Sequence, residues 1–181
     1  MNVRPATAED ADALAAIYGD AVLNGFGTFE EIAPSPADMD GRRRAVQDMG
    51  LPYLVAEDGG QVLGFAYAGP FRPRAAYRYT LEDSVYVAPE AKGKGVGRTV
   101  LTAVIEACEA LGVRQLMAVI GDSGNAGSIG LHTALGFERT GVGHSVGFKH
   151  GRWVDIVHMQ KPLNGGDATL PDGGGVTLTG H

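Results

Sequence analysis

The sequence predicts an α/β fold in which a mixed sheet carries helices on both faces. Two observations predict this class. Strand-like and helical segments follow one another in the order β-α-α-β-β-β-α-β-α-β-β, and YLVAEDGGQVLGFAYAG reads as an antiparallel hairpin. A doubly wound dinucleotide fold would instead need regular alternation of strands and helices. The 181 residues suffice for one domain with a sizeable core.

The first part of the chain carries two helix signals. NVRPA fits a short first strand, and Thr7 followed by Asp10 then resembles a capping box ahead of apolar residues at helical spacing. Ser35 and Pro36 begin a second helix, because proline is favoured at the first helical position and Asp38 stands three residues after the cap.

The centre of the chain predicts a strand at 78–87 that runs into a glycine loop, and then a helix from Arg98 to Leu111 closed by Gly112. The buried face of this helix is predicted from apolar residues at helical spacing: Val100, Leu101, Val104, Ile105, Cys108 and Leu111. The remaining predicted elements are a strand at 115–121, a helix at 126–135, and two strands at about 137–149 and 152–161.

Charge and composition restrict the function classes. The net charge of −6, from 15 basic and 21 acidic side chains, argues against nucleic acid as a main partner. A single cysteine gives no disulfide framework, and no signal peptide or membrane span is apparent, so we expect a cytoplasmic protein. We expect one domain over residues 1–163 and a disordered, glycine-rich tail over 164–181, whose apolar content is too low to pack.

Three evenly spaced glycines, Gly93, Gly95 and Gly97, precede the predicted central helix. Their spacing fits neither a Walker A loop nor the G-x-G-x-x-G dinucleotide fingerprint. Unpaired amides at a helix N-terminus bind phosphate, and glycine lets a pyrophosphate approach them. The alternative is a simple flexible turn with solvated Lys94 and Arg98 beside it, and the loop alone leaves both interpretations open.

Residues around this loop carry a family resemblance. VYVAPEAKGKGVGRTVL resembles the acetyl-CoA loop of the GNAT acyltransferase superfamily, with Lys92 in place of the usual Arg or Gln. NAGSIGLHTALGF resembles a second segment of that family, with His132 where tyrosine is commonest. Together with TLEDSVYV and GFKHGRWVD, these blocks are similar to the phosphinothricin and methionine sulfoximine N-acetyltransferase branch, over about residues 2–163.

The resemblance implies a GNAT fold and transfer of acetyl from acetyl-CoA to the α-amino group of a small amino-acid-like compound. It implies that the backbone of Val85 and Val87 holds the pantetheine arm, and that loop amides hold the pyrophosphate. The implied cofactor-binding residues are Val85, Tyr86, Val87, Lys92, Gly93, Lys94, Gly95, Val96, Gly97, Arg98, Asn125 and Ser128. A homodimer is expected from the resemblance alone.

Acetyl transfer needs a neutral amine, a polarised thioester carbonyl and a proton for the leaving sulfur. Glu82 matches the general base of the branch, and strand alternation points the nearby Asp83 to the opposite face. His132 matches the position from which the superfamily tyrosine protonates sulfur, although a structural histidine remains the alternative. The amide of Val87 would polarise the carbonyl. Cys108 lies on an apolar stripe, so we expect direct attack without a covalent intermediate.

Acceptor recognition is predicted in two loops. Arg72, Arg74 and Tyr77 lie between two strands, where a guanidinium can pair with a substrate carboxylate, although a solvated basic loop remains the alternative. Phe29 and Glu30 lie near the acceptor in the family branch. The five histidines show no metal-binding spacing, so we expect no metal.

Two other functions remain open. One is acetylation of a different amine, a peptide N-terminus or an antibiotic. The other is a CoA-binding sensor without catalysis, which would bind acetyl-CoA and leave it unchanged in the presence of any amine.

Overall fold

A mixed sheet of seven strands forms the centre of residues 1–178, the part of the chain that the computed structural model describes. Along the chain the elements are β1 (Asn2–Pro5), α1 (Ala11–Asn24), α2 (Pro36–Asp48), β2 (Tyr53–Asp58), β3 (Gln61–Pro70), β4 (Thr80–Val87), α3 (Val96–Ala110), β5 (Gln115–Gly121), α4 (Ala126–Ala134), β6 (Glu138–Lys149) and β7 (Arg152–Pro162). The strands lie in the order β1-β2-β3-β4-β5-β7-β6, with β4 and β5 parallel and the other neighbours antiparallel. The predicted order of strands and helices is confirmed.

The helices lie on both faces of the sheet. On one face, Tyr18 of α1 packs edge-on against Tyr86 of β4, with ring centroids 4.8 Å apart. On the other, α3 lies so close to the strand that a Cβ added at Gly97 would fall 3.3 Å from Val87 and 3.9 Å from Val85, which alternate with Tyr86. Because neighbouring strand residues point to opposite faces, α1 and α3 cover opposite sides of β4. The predicted α/β class with helices on both faces is confirmed.

Local capping fixes where α2 begins. The Ser35 hydroxyl accepts a hydrogen bond from the Asp38 amide at 3.2 Å, and the Asp38 carboxylate accepts one from the Ser35 amide at 2.9 Å. Two of the amides at the helix start are thereby satisfied. Pro36 follows at the first helical position, as the sequence predicts.

Helix α3 differs from its prediction at both ends. It begins at Val96 rather than Arg98, because Gly95 adopts a left-handed conformation (φ 82°) and forms the N-cap. It ends at Ala110, so Leu111 lies on the cap and is 43% exposed instead of completing the buried stripe. The other five predicted residues of that stripe are buried: Val100, Leu101, Val104, Ile105 and Cys108.

The segment after β7, which the sequence analysis assigns to a disordered tail, makes hydrogen bonds to the domain over residues 164–178. The buried Arg114 donates from Nε to the carbonyl of Gly166 at 2.8 Å. The amide of Val176 donates to the carbonyl of Arg78 at 2.9 Å. The Arg114 guanidinium satisfies backbone carbonyls of this segment, and Val176 packs against the hydrophobic core. The division of the chain after β7 stays a prediction.

Within the described residues, no helix combines the length and apolar character needed to cross a membrane.

Candidate active site

Strands β4 and β5 separate halfway along their length, and their separation opens a cleft. Parallel pairing joins Thr80–Asp83 to Gln115–Ala118, while β4 runs on to Val87 and β5 to Gly121. Beyond Asp83, no described strand pairs with the edge of β4 that faces β5. An extended ligand can add to such an edge in the way that another strand would.

The cleft has a volume of about 960 Å³ and extends from the fork between the strands to the start of α3. It is lined by all of the predicted cofactor-binding residues except Lys94. These residues are Val85, Tyr86, Val87, Lys92, Gly93, Gly95, Val96, Gly97, Arg98, Asn125 and Ser128. Asp83 and His132 also line it. The structure therefore brings together residues from β4, the glycine loop, α3 and α4.

The three loop glycines serve two different purposes. Gly93 and Gly95 have φ values of 76° and 82°, a conformation that other residues adopt only with strain, and an added Cβ at either would meet no atom within 4 Å. Gly97 is helical instead, and its Cβ would lie 3.2 Å from Leu131 and 3.3 Å from Val87. Two glycines thus shape the turn, and the third lets α3 pack closely against α4 and β4.

The backbone amides at the start of α3 are free to bind a ligand. The amide of Thr99 donates to the carbonyl of Gly95 at 3.0 Å, which closes the first turn. Nothing in residues 1–178 accepts a hydrogen bond from the amides of Val96, Gly97 or Arg98. These amides carry the positive end of the helix dipole beside a loop with open space above it. This end of the cleft fits a pyrophosphate.

At the apex of the fork, the carboxylate of Asp83 meets the imidazole of His132. His132 Nε2 lies 3.0 Å from Asp83 Oδ1, and Nδ1 lies 2.8 Å from the carbonyl oxygen of Ser128. Both side chains are buried. Burial raises the pKa of the Asp83 carboxyl. Burial lowers the pKa of His132, but the hydrogen bond to Asp83, the charge of Asp83 and the bond to the Ser128 carbonyl together outweigh it, so the pKa is raised.

Asn125 begins α4. Its Oδ1 accepts a hydrogen bond from the amide of Ser128 at 3.1 Å, so this side chain caps the helix as well as lining the cleft.

Comparisons with known proteins agree with this architecture. The model of the acetyltransferase (GNAT) family matches residues 21–137. The chain is 56% identical over 170 residues to phosphinothricin N-acetyltransferase of Alcaligenes faecalis, covering 94% of this chain and 86% of that protein. It is 43% identical over 167 residues to the L-methionine sulfoximine/L-methionine sulfone acetyltransferase of Pseudomonas paraeruginosa, covering 90% and 95%.

A solved structure shares the whole fold. The crystal structure of a GNAT superfamily phosphinothricin acetyltransferase from Sinorhizobium meliloti in complex with AcCoA superposes with a TM-score of 0.92. The two chains are 48% identical, and the match covers 96% of this chain and 94% of that one. The chain belongs to the GNAT acetyltransferase family. The resemblance read from the sequence is thereby confirmed, and the protein is an acetyl-CoA-dependent N-acetyltransferase.

In this GNAT acetyltransferase, Glu82 lies beside the fork and is not part of the cleft lining. On β4 it pairs in register with Gly69 of β3 and Met117 of β5. Burial raises the pKa of the Glu82 carboxyl, the negative charge of Asp83 raises it further, and the positive charge of Arg72 lowers it. Arg72 of the β3–β4 loop therefore acts electrostatically on Glu82.

The predicted acceptor residues lie outside the cleft lining, on two loops. Glu30 accepts two hydrogen bonds from Arg42, at 2.7 and 3.0 Å, and one from the hydroxyl of Tyr18 at 2.8 Å. The bonds from Arg42 lower the pKa of the Glu30 carboxyl. Phe29 lies directly over Gly147, whose Cβ would fall 2.3 Å from the ring. The loop between α1 and α2 is thus held from both sides.

In the β3–β4 loop, Phe71 organises the neighbouring side chains. The Tyr77 ring packs edge-on against it with centroids 5.7 Å apart, and the Arg72 guanidinium lies 5.1 Å from its ring centroid. Arg74 precedes the short helical turn that contains Tyr77. Phe71 directly follows β3, where Gly69 pairs with Glu82, so this loop leaves the sheet near Glu82.

Sequence reasoning missed two buried charged groups. It placed Asp83 away from Glu82, but gave no reason to pair it with His132. It also gave no role to Lys149, which is 1% exposed and donates from Nζ to the carbonyl of Thr28 at 2.8 Å. A lysine near the end of a strand is an ordinary surface pattern, so only the packing of the α1–α2 loop shows this contact.

Nucleophilic catalysis and metal binding find no support in the described residues. Cys108 is buried, and burial raises the pKa of its thiol to about 12, so the thiolate needed for acyl transfer is disfavoured. No group of three or more His, Cys, Asp or Glu side chains within residues 1–178 converges as a metal site.

Proposed function

We propose that this acetyltransferase acts on the α-amino group of small amino-acid-like acceptors of the phosphinothricin and methionine sulfoximine type. The observation that carries the proposal is the cleft itself, in which an unpaired strand edge leads to free helix amides. The relatives named for phosphinothricin and methionine sulfoximine support the acceptor class, because each match covers at least 86% of both chains.

Acetyl-CoA supplies an acetyl group activated as a thioester. The backbone of Val85 and Val87 binds its pantetheine arm along the free edge of β4. The amides of residues 93–98 bind the pyrophosphate, and Lys92 and Lys94 add positive charge near it. Asn125 and Ser128 contact the far end of the cofactor, so one continuous surface orients the thioester toward the fork.

Glu82 acts as the general base. An α-amino group carries a proton at neutral pH, and only its neutral form attacks a carbonyl. Because the pKa of the Glu82 carboxyl is raised, it lies closer to the pKa of the amine. This favours proton transfer from the amine to Glu82, directly or through a water molecule. Such a base contributes on the order of 10²–10⁴ in rate.

The reaction proceeds by direct attack. The amine nitrogen forms the new C–N bond, the C–S bond breaks, and sulfur leaves with its electron pair. The ammonium nitrogen loses two protons in all. Sulfur gains one proton as it leaves, so the net release to solvent is one proton. The amide of Val87 polarises the carbonyl, and His132 stands at the fork as the proton source for sulfur.

The two loops bind the acceptor. Arg72 and Arg74 pair with its carboxylate, and Tyr77 closes the side of the site next to them. Phe29 supplies an apolar wall. Because the carboxylate of Glu30 is already bonded to Arg42, its contribution is to hold that wall in place.

We also propose a homodimer. Val146, Phe148 and Trp153 expose apolar side chains on the β6–β7 hairpin, and β6 is an edge strand. A cytoplasmic location stays a prediction.

Release of CoA, followed with a thiol reagent, tests the function. The acceptors are L-phosphinothricin, L-methionine sulfoximine, ordinary L-amino acids, a peptide and an aminoglycoside. We expect turnover on the first two, lost in Glu82→Gln and kept in the matched variant Glu106→Gln, which changes an exposed residue of α3. Turnover on the peptide or aminoglycoside alone would move the acceptor to another amine. Binding of acetyl-CoA without any turnover would make the protein a sensor.

A further inference from the structure

The hydrogen bonds of His132 fix its protonation. The carbonyl oxygen of Ser128 only accepts hydrogen bonds, so Nδ1, which lies 2.8 Å from it, carries a proton. Nε2 lies 3.0 Å from Asp83 Oδ1, a distance that requires one proton between the two atoms. Without that proton two acceptor atoms would face each other.

This pair lines the cleft but is almost fully buried. The ring of Phe137 packs edge-on against the imidazole with centroids 5.0 Å apart. Asp83 Oδ2 is buried and has no hydrogen-bond partner within residues 1–178. A carboxylate paired on only one of its oxygens and removed from water is costly, and a proton on Nε2 of the imidazole beside it offsets that cost.

The other titratable groups near Asp83 do not compete for that proton. Glu82 lies next to it on β4 and points to the opposite face. Cys108 of α3 stays a neutral thiol, because its pKa is raised to about 12 by burial and then by the charge of Asp83. The Ser128 hydroxyl lies 3.4 Å from Nδ1, on the side of the ring away from Asp83.

We propose that Asp83 is a positioning residue for acetyl transfer. Asp83 and His132 form a pair that holds one proton at the fork of the cleft, and His132 transfers this proton to the leaving sulfur. The inference rests on the proposed function, which supplies the leaving sulfur. On transfer the Nε2–H bond breaks and an S–H bond forms. Nε2 and Oδ1 are then two facing acceptors, and their repulsion draws a proton back from solvent, which received the protons released by the amine.

Asp83→Asn removes the shared proton while keeping the shape of the side chain. Asparagine has the shape of aspartate and can donate from its amide to Nε2, while Nδ1 stays bonded to Ser128. His132 is then neutral and has no proton on Nε2 to transfer to sulfur. We expect kcat to fall by about 10²-fold or more, with the dissociation constant of acetyl-CoA unchanged. Asp48→Asn, the same change at an exposed position of α2, serves as the matched control.

A structural role for the pair predicts a different result, in which Asp83→Asn lowers the melting temperature and leaves kcat as it was. That result in a folded variant overturns the proposal. Nitrogen-15 NMR of the wild-type imidazole, assigned through loss of its signals in His132→Gln, gives a second test that needs no turnover and no folded Asp83 variant. Two protonated ring nitrogens at neutral pH support the pair, and one overturns it. Absence of turnover in wild type would refute the proposed function while the NMR result still decides the pair.

Discussion

Gly95→Ala tests the phosphate-binding end of the cleft. Gly95 has a φ of 82°, and a left-handed alanine costs about 1–2 kcal/mol in backbone strain. No protein atom lies within 4 Å of the added methyl group, so strain is the whole cost to the protein alone. In a chain of 181 residues, this loss lowers the melting temperature by about 2–8 °C.

In the proposed function, the same methyl group stands where the pyrophosphate approaches the free amides of Val96 and Gly97. Loss of one hydrogen bond to a charged group removes about 1.5–3 kcal/mol. Because about 1.4 kcal/mol changes an equilibrium constant tenfold, we expect acetyl-CoA to bind about 10- to 100-fold more weakly. The assays are thermal unfolding without ligand and calorimetric titration with acetyl-CoA.

Gly112→Ala is the matched control. Gly112 follows the other end of α3, has a φ of 75°, and leaves an added Cβ equally free of contacts, but it lies outside the cleft lining. Both variants should lose similar stability, and only Gly95→Ala should lose affinity for acetyl-CoA. Equal affinities in the two variants would refute the assignment of this loop to the pyrophosphate.

Three further predictions concern the acceptor side and the end of the chain. Glu82 must be ionised to act as the base, so kcat/KM should fall as the pH drops through its raised pKa. Arg72→Gln removes a positive charge that lowers this pKa, so the acidic limb of the pH profile should shift to higher pH. Gly147→Ala places a Cβ 2.3 Å from the Phe29 ring, so acceptor KM should rise while calorimetry gives an unchanged acetyl-CoA affinity. Ending the chain after β7 removes carbonyls bonded to the buried Arg114 and should lower the melting temperature in a thermal scan. An unshifted pH limb, an unchanged KM or an unchanged melting temperature, respectively, would contradict them.

Local signals made most of the fold predictable. Ser35, Pro36 and Asp38 form the cap of α2 that their spacing predicts. The start of α3 was placed two residues too late, because a sequence does not distinguish a glycine in a turn from one inside a helix. Gly95 is left-handed and caps α3 while Gly97 lies inside it, a difference that only the folded backbone shows.

Part of the site could also be predicted, because the resemblance rests on short blocks of sequence that each cover one element or two consecutive ones. The bond between Asp83 and His132 joins residues 49 positions apart, and it depends on where β4 separates from β5. No periodicity encodes that separation. The contact from Lys149 at the end of β6 to Thr28 in the α1–α2 loop likewise cannot be predicted from the sequence, because it joins segments far apart in the chain.

The most direct measurement is an NMR spectrum of the product formed from L-phosphinothricin and acetyl-CoA labelled with carbon-13 in its acetyl group. We predict that the label appears as an amide on the α-nitrogen, with one CoA thiol released for each amide formed. Label recovered as free acetate, or left in unchanged acetyl-CoA, would contradict acetyl transfer to an amino-acid-like acceptor.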